Sequence, residues 1–249
     1  MVNIRRGDER GRTNWAWLDS RHSFSFGEYY DPAHMGFRTL RVINDDRVLP
    51  GAGFGAHPHQ DMEILSYVLD GALEHRDSLG NGSTIRPGEL QHMRAGTGVV
   101  HSEFNPSATE SVHFLQIWIV PGARGLAPAY GQYRFDTERA ARAFVLLASK
   151  DGRDGSVALS QNVDLWVTRL DGTATRTFDV REGRSAWVHV ARGSAVVNGH
   201  VLVAGDAAAV SEEAITLTNG DGAEVLVFDI GPCTEQGSGT RDQGSGTRD

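Results

Sequence analysis

The sequence predicts an all-β protein built as a sandwich or barrel, and three observations carry that reading. Apolar runs of roughly five to eight residues recur between turn dipeptides, among them Asp70-Gly71, Asn81-Gly82, Pro87-Gly88, Asp171-Gly172, Asn198-Gly199 and Gly205-Asp206. Glycine is abundant at 30 residues while proline is sparse at 8, a balance that suits many tight reversals. Helical periodicity is confined to residues 137–144 (TERAARAF), behind Asp136 as an N-cap. In order, the strand candidates are residues 39–43, 62–69, 72–77 and 112–120, then 165–170, 185–191, 194–198 and 225–230. Along 112–120, Leu115, Ile117 and Ile119 share one face while Phe114, Gln116 and Trp118 share the other. One of those faces lines a barrel interior, and alternation alone does not choose it.

The strand pattern falls into two stretches. Between them lies Pro121-Gly-Ala-Arg-Gly-Leu-Ala-Pro128, which has no periodicity and reads as a connection. A length of 249 residues accommodates two domains of about 110–125 residues each. The expected division is an N-terminal domain over 1–130, a C-terminal domain over 131–232, and a disordered tail over 233–249. In that tail QGSGTRD occurs at 236–242 and again at 243–249, too polar and glycine-rich to pack.

Composition excludes several function classes. With 39% hydrophobic and 22% charged residues, the chain can bury a core. No window approaches the run of about 18 apolar residues that a membrane helix needs. The charged N-terminus lacks the apolar stretch of a secretory signal, so a cytoplasmic protein is expected. Cys233 is the single cysteine, which excludes an internal disulfide and a cysteine-rich metal site. A net charge of −8, with Lys150 the one lysine, argues against direct nucleic-acid binding. A monomer is expected.

The chemistry concentrates in residues 51–103. In His57-Pro58-His59 the two imidazoles are two apart on a strand, so they point to one face with backbones roughly 6.5–7 Å apart. They can then converge on one ion at about 2.0–2.1 Å from each nitrogen. His101-Ser102-Glu103 repeats the spacing with a carboxylate in second place. Either pair alone is a weak signal. Laid side by side, they supply three imidazoles and one carboxylate. Such donors suit one borderline divalent cation, iron(II) first, with nickel, copper, manganese, cobalt or zinc as alternatives. Four protein ligands leave coordination positions open, which points to chemistry rather than a structural staple.

Gly51, Glu63 and Gly71 around the first pair, and Gly82, Pro87, Gly88, Gly96 and Gly98 before the second, resemble the paired motifs of the cupin superfamily. The interval from Glu63 to Gly71 is one residue longer than the usual pattern. Residues 54–71 (FGAHPHQDMEILSYVLDG), 74–81 (EHRDSLGN), 93–98 (MRAGTG) and 101–103 (HSE) narrow the resemblance to the pirin family, and 17–26 (WLDSRHSFSF) and 41–46 (RVINDD) to its bacterial branch. The likeness runs from residue 3 to residue 231. It implies two tandem cupin barrels of the double-stranded β-helix or jelly-roll type, a bicupin, with metal in the first alone. Its ligand set falls on His57, His59, His101 and Glu103. Glu63, a ligand in many cupins, is expected to support the site or handle a proton.

The second domain should echo the first without ligands. Residues 185–193 and 198–206 have barrel-like turns, yet no His-x-His or His-x-Glu follows residue 150. His189 and His200 are read as structural or solvent-facing, as are His22, His34, His75, His92 and His113, with His75 and His113 on strands that could border the pocket. The resemblance implies quercetin 2,3-dioxygenase activity: a flavonol and O₂ react, the heterocyclic ring opens, and a depside and carbon monoxide leave. Glu103 or Glu63 would accept the proton of the flavonol 3-hydroxyl, with Glu103 the assigned catalytic residue. Two alternatives use the same site: a non-enzymatic regulatory module acting through partners, or a cupin enzyme for another enol or phenol.

Overall fold

The computed structural model describes residues 1–232. Cys233 and the repeated tail, for which disorder is expected, lie outside the described residues. The first half contains β1 (Val2–Arg5), β2 (Gly11–Asn14), β3 (Leu18–His22), β4 (Leu40–Val48), β5 (Gly53–His59) and β6 (Glu63–Asp70). It continues through β7 (Leu73–Asp77), β8 (Gly82–Ile85), β9 (Glu89–Arg94), β10 (Val99–Phe104), β11 (Val112–Ile119) and β12 (Ala129–Arg134). After helix α1 (Thr137–Ala140) come β13 (Val145–Ser149), β14 (Val157–Ala158), β15 (Val163–Gly172) and β16 (Arg176–Phe178). The chain closes with β17 (Ser185–Val197), β18 (His200–Val203), β19 (Ala207–Ser211) and β20 (Ile215–Ile230).

Two barrels result. A seven-stranded sheet, β12-β9-β6-β11-β4-β3-β2, faces a four-stranded sheet, β5-β10-β7-β8. The second barrel is a nine-stranded sheet in the order β1-β19-β17-β20-β15-β13-β14, with β16 on β20 and β18 on β17. Chain order and sheet order do not coincide at the ends. The first strand, β1, pairs antiparallel with β19 in the second barrel, and residue 130 lies inside β12, which pairs with β9 of the first.

Alternation assigns the faces. Leu65, Tyr67 and Leu69 of β6, with Leu115, Ile117 and Ile119 of β11, join Leu165, Trp187, Leu226 and Phe228 in the largest core cluster, which lies between the barrels. Phe24 packs 4.9 Å from Trp187 across that boundary, ring centre to ring centre. Burying a side chain of this size stabilises by roughly 1.5–3 kcal/mol. The opposite face of β11, with Phe114, Gln116 and Trp118, therefore turns into the first barrel. The unresolved choice of faces is settled by what the second barrel covers.

Two sequence expectations need correction. Residues 185–191 and 194–198 form one strand, β17, which stays on β20 while exchanging β19 for β18 as its other neighbour. The bend falls at Gly193, where φ is +62° and an added Cβ would collide with the Asp221 carbonyl, so the strand continues through a bulge. The helix expected over 137–144 stops at Ala140. Asp136 caps it, accepting from the Arg139 amide at 2.9 Å, but Phe144 packs against the aliphatic core of the second barrel and the chain enters β13.

Candidate metal centre

Three strands of the smaller sheet place the histidines. β10 lies between β5 and β7, with His101 opposite His57 on one side and opposite Asp77 on the other. Glu103 lies opposite His75. A register shift on β5, between the partners of His101 and Glu103, marks a bulge beside the site. Pro58 separates the two β5 histidines without cost to the ladder, because β5 is the edge strand and needs no second partner. The same edge position leaves His57 and His59 partly exposed while His101 is buried, so the cluster opens outward past β5.

His57, His59 and His101 each turn one ring nitrogen into a common space, with those three atoms within 4.8 Å of one another. Their ring centres are 4.4–4.9 Å apart. His57 Nδ1 donates to the Gly55 carbonyl at 2.7 Å, which leaves Nε2 with its lone pair free. His101 Nε2 is buried without a hydrogen-bond partner. Burial, then the neighbouring His57 and His75, push His101 down to about 3; burial, then His101 and His57, do the same for His59. Both rings are therefore unprotonated near neutral pH, the state a metal ligand requires. An orphaned buried nitrogen among converging imidazoles fits a divalent ion.

Glu103 is 1% exposed and belongs to an overlapping group, in which its ligand atom and those of His75 and His101 lie within 4.8 Å of one another. Among the described residues these two groups are the ones able to hold a metal. The opposite sheet orients the carboxylate: Ser66 Oγ donates to Oε1 at 2.9 Å and Gln116 Nε2 to Oε2 at 2.6 Å. Both donors come from the inward faces of β6 and β11. Trp118, also inward on β11, meets His59 edge-on at 4.9 Å and Phe26 at 5.3 Å. Asp46 is buried on β4 with Oδ1 unpartnered. Burial pushes its carboxyl up to about 7 against a hydrogen bond from Ser20, and the Asp45 and Glu103 charges add to the rise.

Glu63 does not join the cluster, which corrects its expected role at the ion. It shares the β6 face of Leu65 and Tyr67, toward the second barrel, whereas Ser66 points to the site. One oxygen pairs with His92 Nε2 and the other accepts the Ser160 amide at 2.7 Å. Burial raises its pKa, but the His92 hydrogen bond and charge, with the Ser160 bonds, outweigh it and hold the carboxyl below its usual range. Such an ionised, doubly occupied carboxylate latches the two domains. His113 likewise faces outward from the first barrel, 2.7 Å from Asp45. It lines an interdomain cleft of about 760 Å³ whose Arg6, Arg10 and Arg192 pair with Asp206, Asp45 and Asp70.

Sequence reasoning missed Ser66, Gln116, Asp46 and Asp77, and placed His75 only at the border. His75 and Asp77 have the same two-residue spacing as the other pairs, so their shared inward face was readable. The contributions of Ser66 and Gln116 depend on sheet-to-sheet packing, which spacing does not encode.

Two fused β-barrels, the first holding a His/Glu cluster and the second filled with aliphatic side chains, define a bicupin. The family model described as Pirin matches residues 4–119, and that described as Quercetinase C-terminal cupin domain matches residues 146–230. The chain is 46% identical to quercetin 2,3-dioxygenase of Escherichia coli K12 over 93% of its own length and all of that protein. The crystal structure of the bacterial pirin YhhW from Escherichia coli, solved in complex with nickel(II), is 45% identical. It superposes with a TM-score of 0.89 over 94% of this chain and 100% of the other. A quercetin 2,3-dioxygenase from Acinetobacter baumannii, 22% identical, shares the fold at a TM-score of 0.75 over 95% of this chain and 89% of its own. The chain belongs to the pirin family.

Proposed function

We propose that this protein is a metal-dependent dioxygenase that opens the heterocyclic ring of a flavonol such as quercetin with O₂, giving a depside and carbon monoxide. The observation that carries the reading is the convergence of the imidazoles of His57, His59 and His101 on a common space, with His101 Nε2 buried and unpartnered. The named activity of the 46% identical relative supports the substrate class. In this reading His57, His59, His101 and Glu103 hold one divalent ion, iron(II) in the first place. The nickel(II) complex of the YhhW pirin supports a first-row divalent ion at such donors.

When bound, the ion supplies positive charge that stabilises an anionic oxygen of the substrate. Glu103, oriented by Ser66 and Gln116, accepts the proton of the flavonol 3-hydroxyl. Trp118 and Phe26 give a flat ring an apolar wall beside His59, and the open β5 edge admits it. Asp46 Oδ1 is a nearby place for a proton at neutral pH. We read the protein as a cytoplasmic monomer whose partners are the flavonol and O₂, with no direct contact to nucleic acid. Among the described residues, no helix is long and apolar enough to cross a membrane.

Elemental analysis of protein purified without added metal, followed by an O₂-electrode assay with quercetin, tests the reading. Metal-loaded protein should shift the flavonol absorption band anaerobically and consume O₂ on aeration, and His57→Ala and Glu103→Ala should abolish uptake. A loaded protein that neither shifts the band nor consumes O₂ would favour a regulatory role. Faster turnover of another enol or phenol would reassign the substrate.

A further inference from the structure

The structure holds a buried chain of polar groups behind the candidate ligands. Asp77, whose side chain is fully buried, accepts at Oδ1 from the Leu79 amide at 2.9 Å and the Asn81 amide at 3.0 Å. Asn81 Nδ2 reaches both of its oxygens, at 3.1 and 2.9 Å. His75 Nε2 lies 2.9 Å from Oδ2, and His75 Nδ1 lies 3.4 Å from His101 Nδ1. His75 is 1% exposed and His101 2%. At the end of the chain His101 Nε2 has no partner.

We infer that Asp77 and His75 are positioning residues that set the tautomer of His101 and thereby direct its Nε2 lone pair to the ion. A carboxylate held by that many donors is acceptor-only, so the hydrogen between it and His75 sits on Nε2. His75 Nδ1 is then an acceptor, and the group within hydrogen-bond reach of it is His101 Nδ1. That nitrogen must carry the hydrogen. His101 Nε2 is left with its lone pair, on a ring whose centre lies 4.4 and 4.9 Å from those of His57 and His59. Ligating histidines ordinarily have their second nitrogen fixed by a carboxylate or a carbonyl. His57 follows that rule through Gly55, whereas His101 receives the same instruction at one remove, through a second imidazole. β10 explains the detour: His101 and Glu103 face His75 and Asp77 across one ladder, so a histidine stands between the carboxylate and the ligand ring.

The inference rests on His101 being a ligand, and its test separates the two claims. Long-range ¹H–¹⁵N correlation spectra of the metal-stripped full chain read the tautomers directly. His101 and His75 should be protonated at Nδ1 and Nε2 respectively, and an Nε2-protonated His101 would overturn the inference whether or not metal binds. Nickel(II) titration calorimetry is the second readout. His75→Leu should weaken binding about 10–100-fold relative to wild type. His75→Gln, whose amide can donate to Asp77 and accept from His101, should restore it to within about threefold. Asp77→Asn should flip the His75 and His101 tautomers in the spectra. A folded His75→Leu that binds nickel as tightly as wild type overturns the inference. A wild-type chain that binds no nickel overturns the metal reading instead, leaving the spectra to judge the relay. If His75→Leu does not fold, the Gln and Asn variants and the wild-type spectra decide.

Discussion

In the first barrel, the inward positions of β10 are His101 and Glu103, and the sheet opposite answers with Ser66 and Gln116. In the second, the inward positions of β17 and β20 are Ala186, Val188, Val190, Val225 and Val227, closed off by Leu202, Val210 and Leu217. Strand alternation is the same in both. What differs is the chemistry of the side chains turned inward. Glu103 has two donors and His75 has Asp77, but His101 Nε2 has none, a deficit that an ion would remove. Among the described residues, no cluster of three His, Cys, Asp or Glu side chains able to hold an ion lies in the second barrel, whose main contribution is burial. It also covers the outer face of β6 and β11, so the barrel without the cluster helps fix the strands that orient Glu103. One barrel thus supports a polar interior that would be costly by itself, and the other supplies apolar packing.

The strongest way to break this contrast is to place a carboxylate in the wrong barrel. Val188 is completely buried in a cluster of aliphatic side chains. Val188→Asp should therefore cost more than about 4 kcal/mol and prevent folding, read as loss of soluble protein or of the thermal transition. A soluble Val188→Asp protein with wild-type melting behaviour would show that the second interior is not the apolar core described. A carboxylate is held at Glu103 because Ser66 and Gln116 donate to its two oxygens.

A second substitution sharpens the boundary between site and scaffold. Glu63 sits in the cupin-like motif but bonds to His92 and Ser160 between the barrels. Glu63→Gln keeps the shape and removes the charge. Stability should fall by about 1–3 kcal/mol in urea unfolding, with nickel affinity unchanged within about twofold. A large loss of affinity at unchanged stability would return Glu63 to the ion.

These cases show what was legible. The spacing within His57-Pro58-His59 and within His101-Ser102-Glu103 determines which side chains share a face, so each pair was readable from local pattern, whereas bringing the pairs together in one of two tandem barrels rested on the family resemblance. Glu63 and Ser66 have opposite parity on β6, a local fact, yet which parity looks inward is decided by the apolar face that the second barrel covers. The pairing of Val2 with Val210 and the continuity of β17 through Gly193 are long-range facts as well. Nothing in the periodicity of residues 185–198 distinguishes a bulge from a turn. The fourth position of α1 ends the helix because Phe144 is needed in the second barrel, a packing demand stronger than the propensity of residues 141–143.

The smallest effect concerns His189, the exception within the second barrel. It lies on β17 between Val188 and Val190, so it points away from the aliphatic interior, on the side of Trp187 and Ala191. The ring is fully buried and neither nitrogen has a partner. Burial, then the Arg10 charge, lower its pKa from 6.5 to about 3, with Asp45 and Asp206 opposing. Because the folded value is depressed, the unfolded chain binds the extra proton between those limits. The stability tied to neutral His189 is complete above pH 6.5 and declines as pH falls toward 3, at up to about 1.4 kcal/mol per pH unit. His189→Leu removes that slope while leaving an apolar side chain against Trp187. Urea unfolding of both proteins at pH 7, 5.5 and 4.5 should show the variant losing about 2 kcal/mol less than wild type over the range. Parallel profiles would mean that His189 finds a partner or a proton in the folded state, and that the polar groups between the barrels reach further into the second one than its aliphatic lining implies.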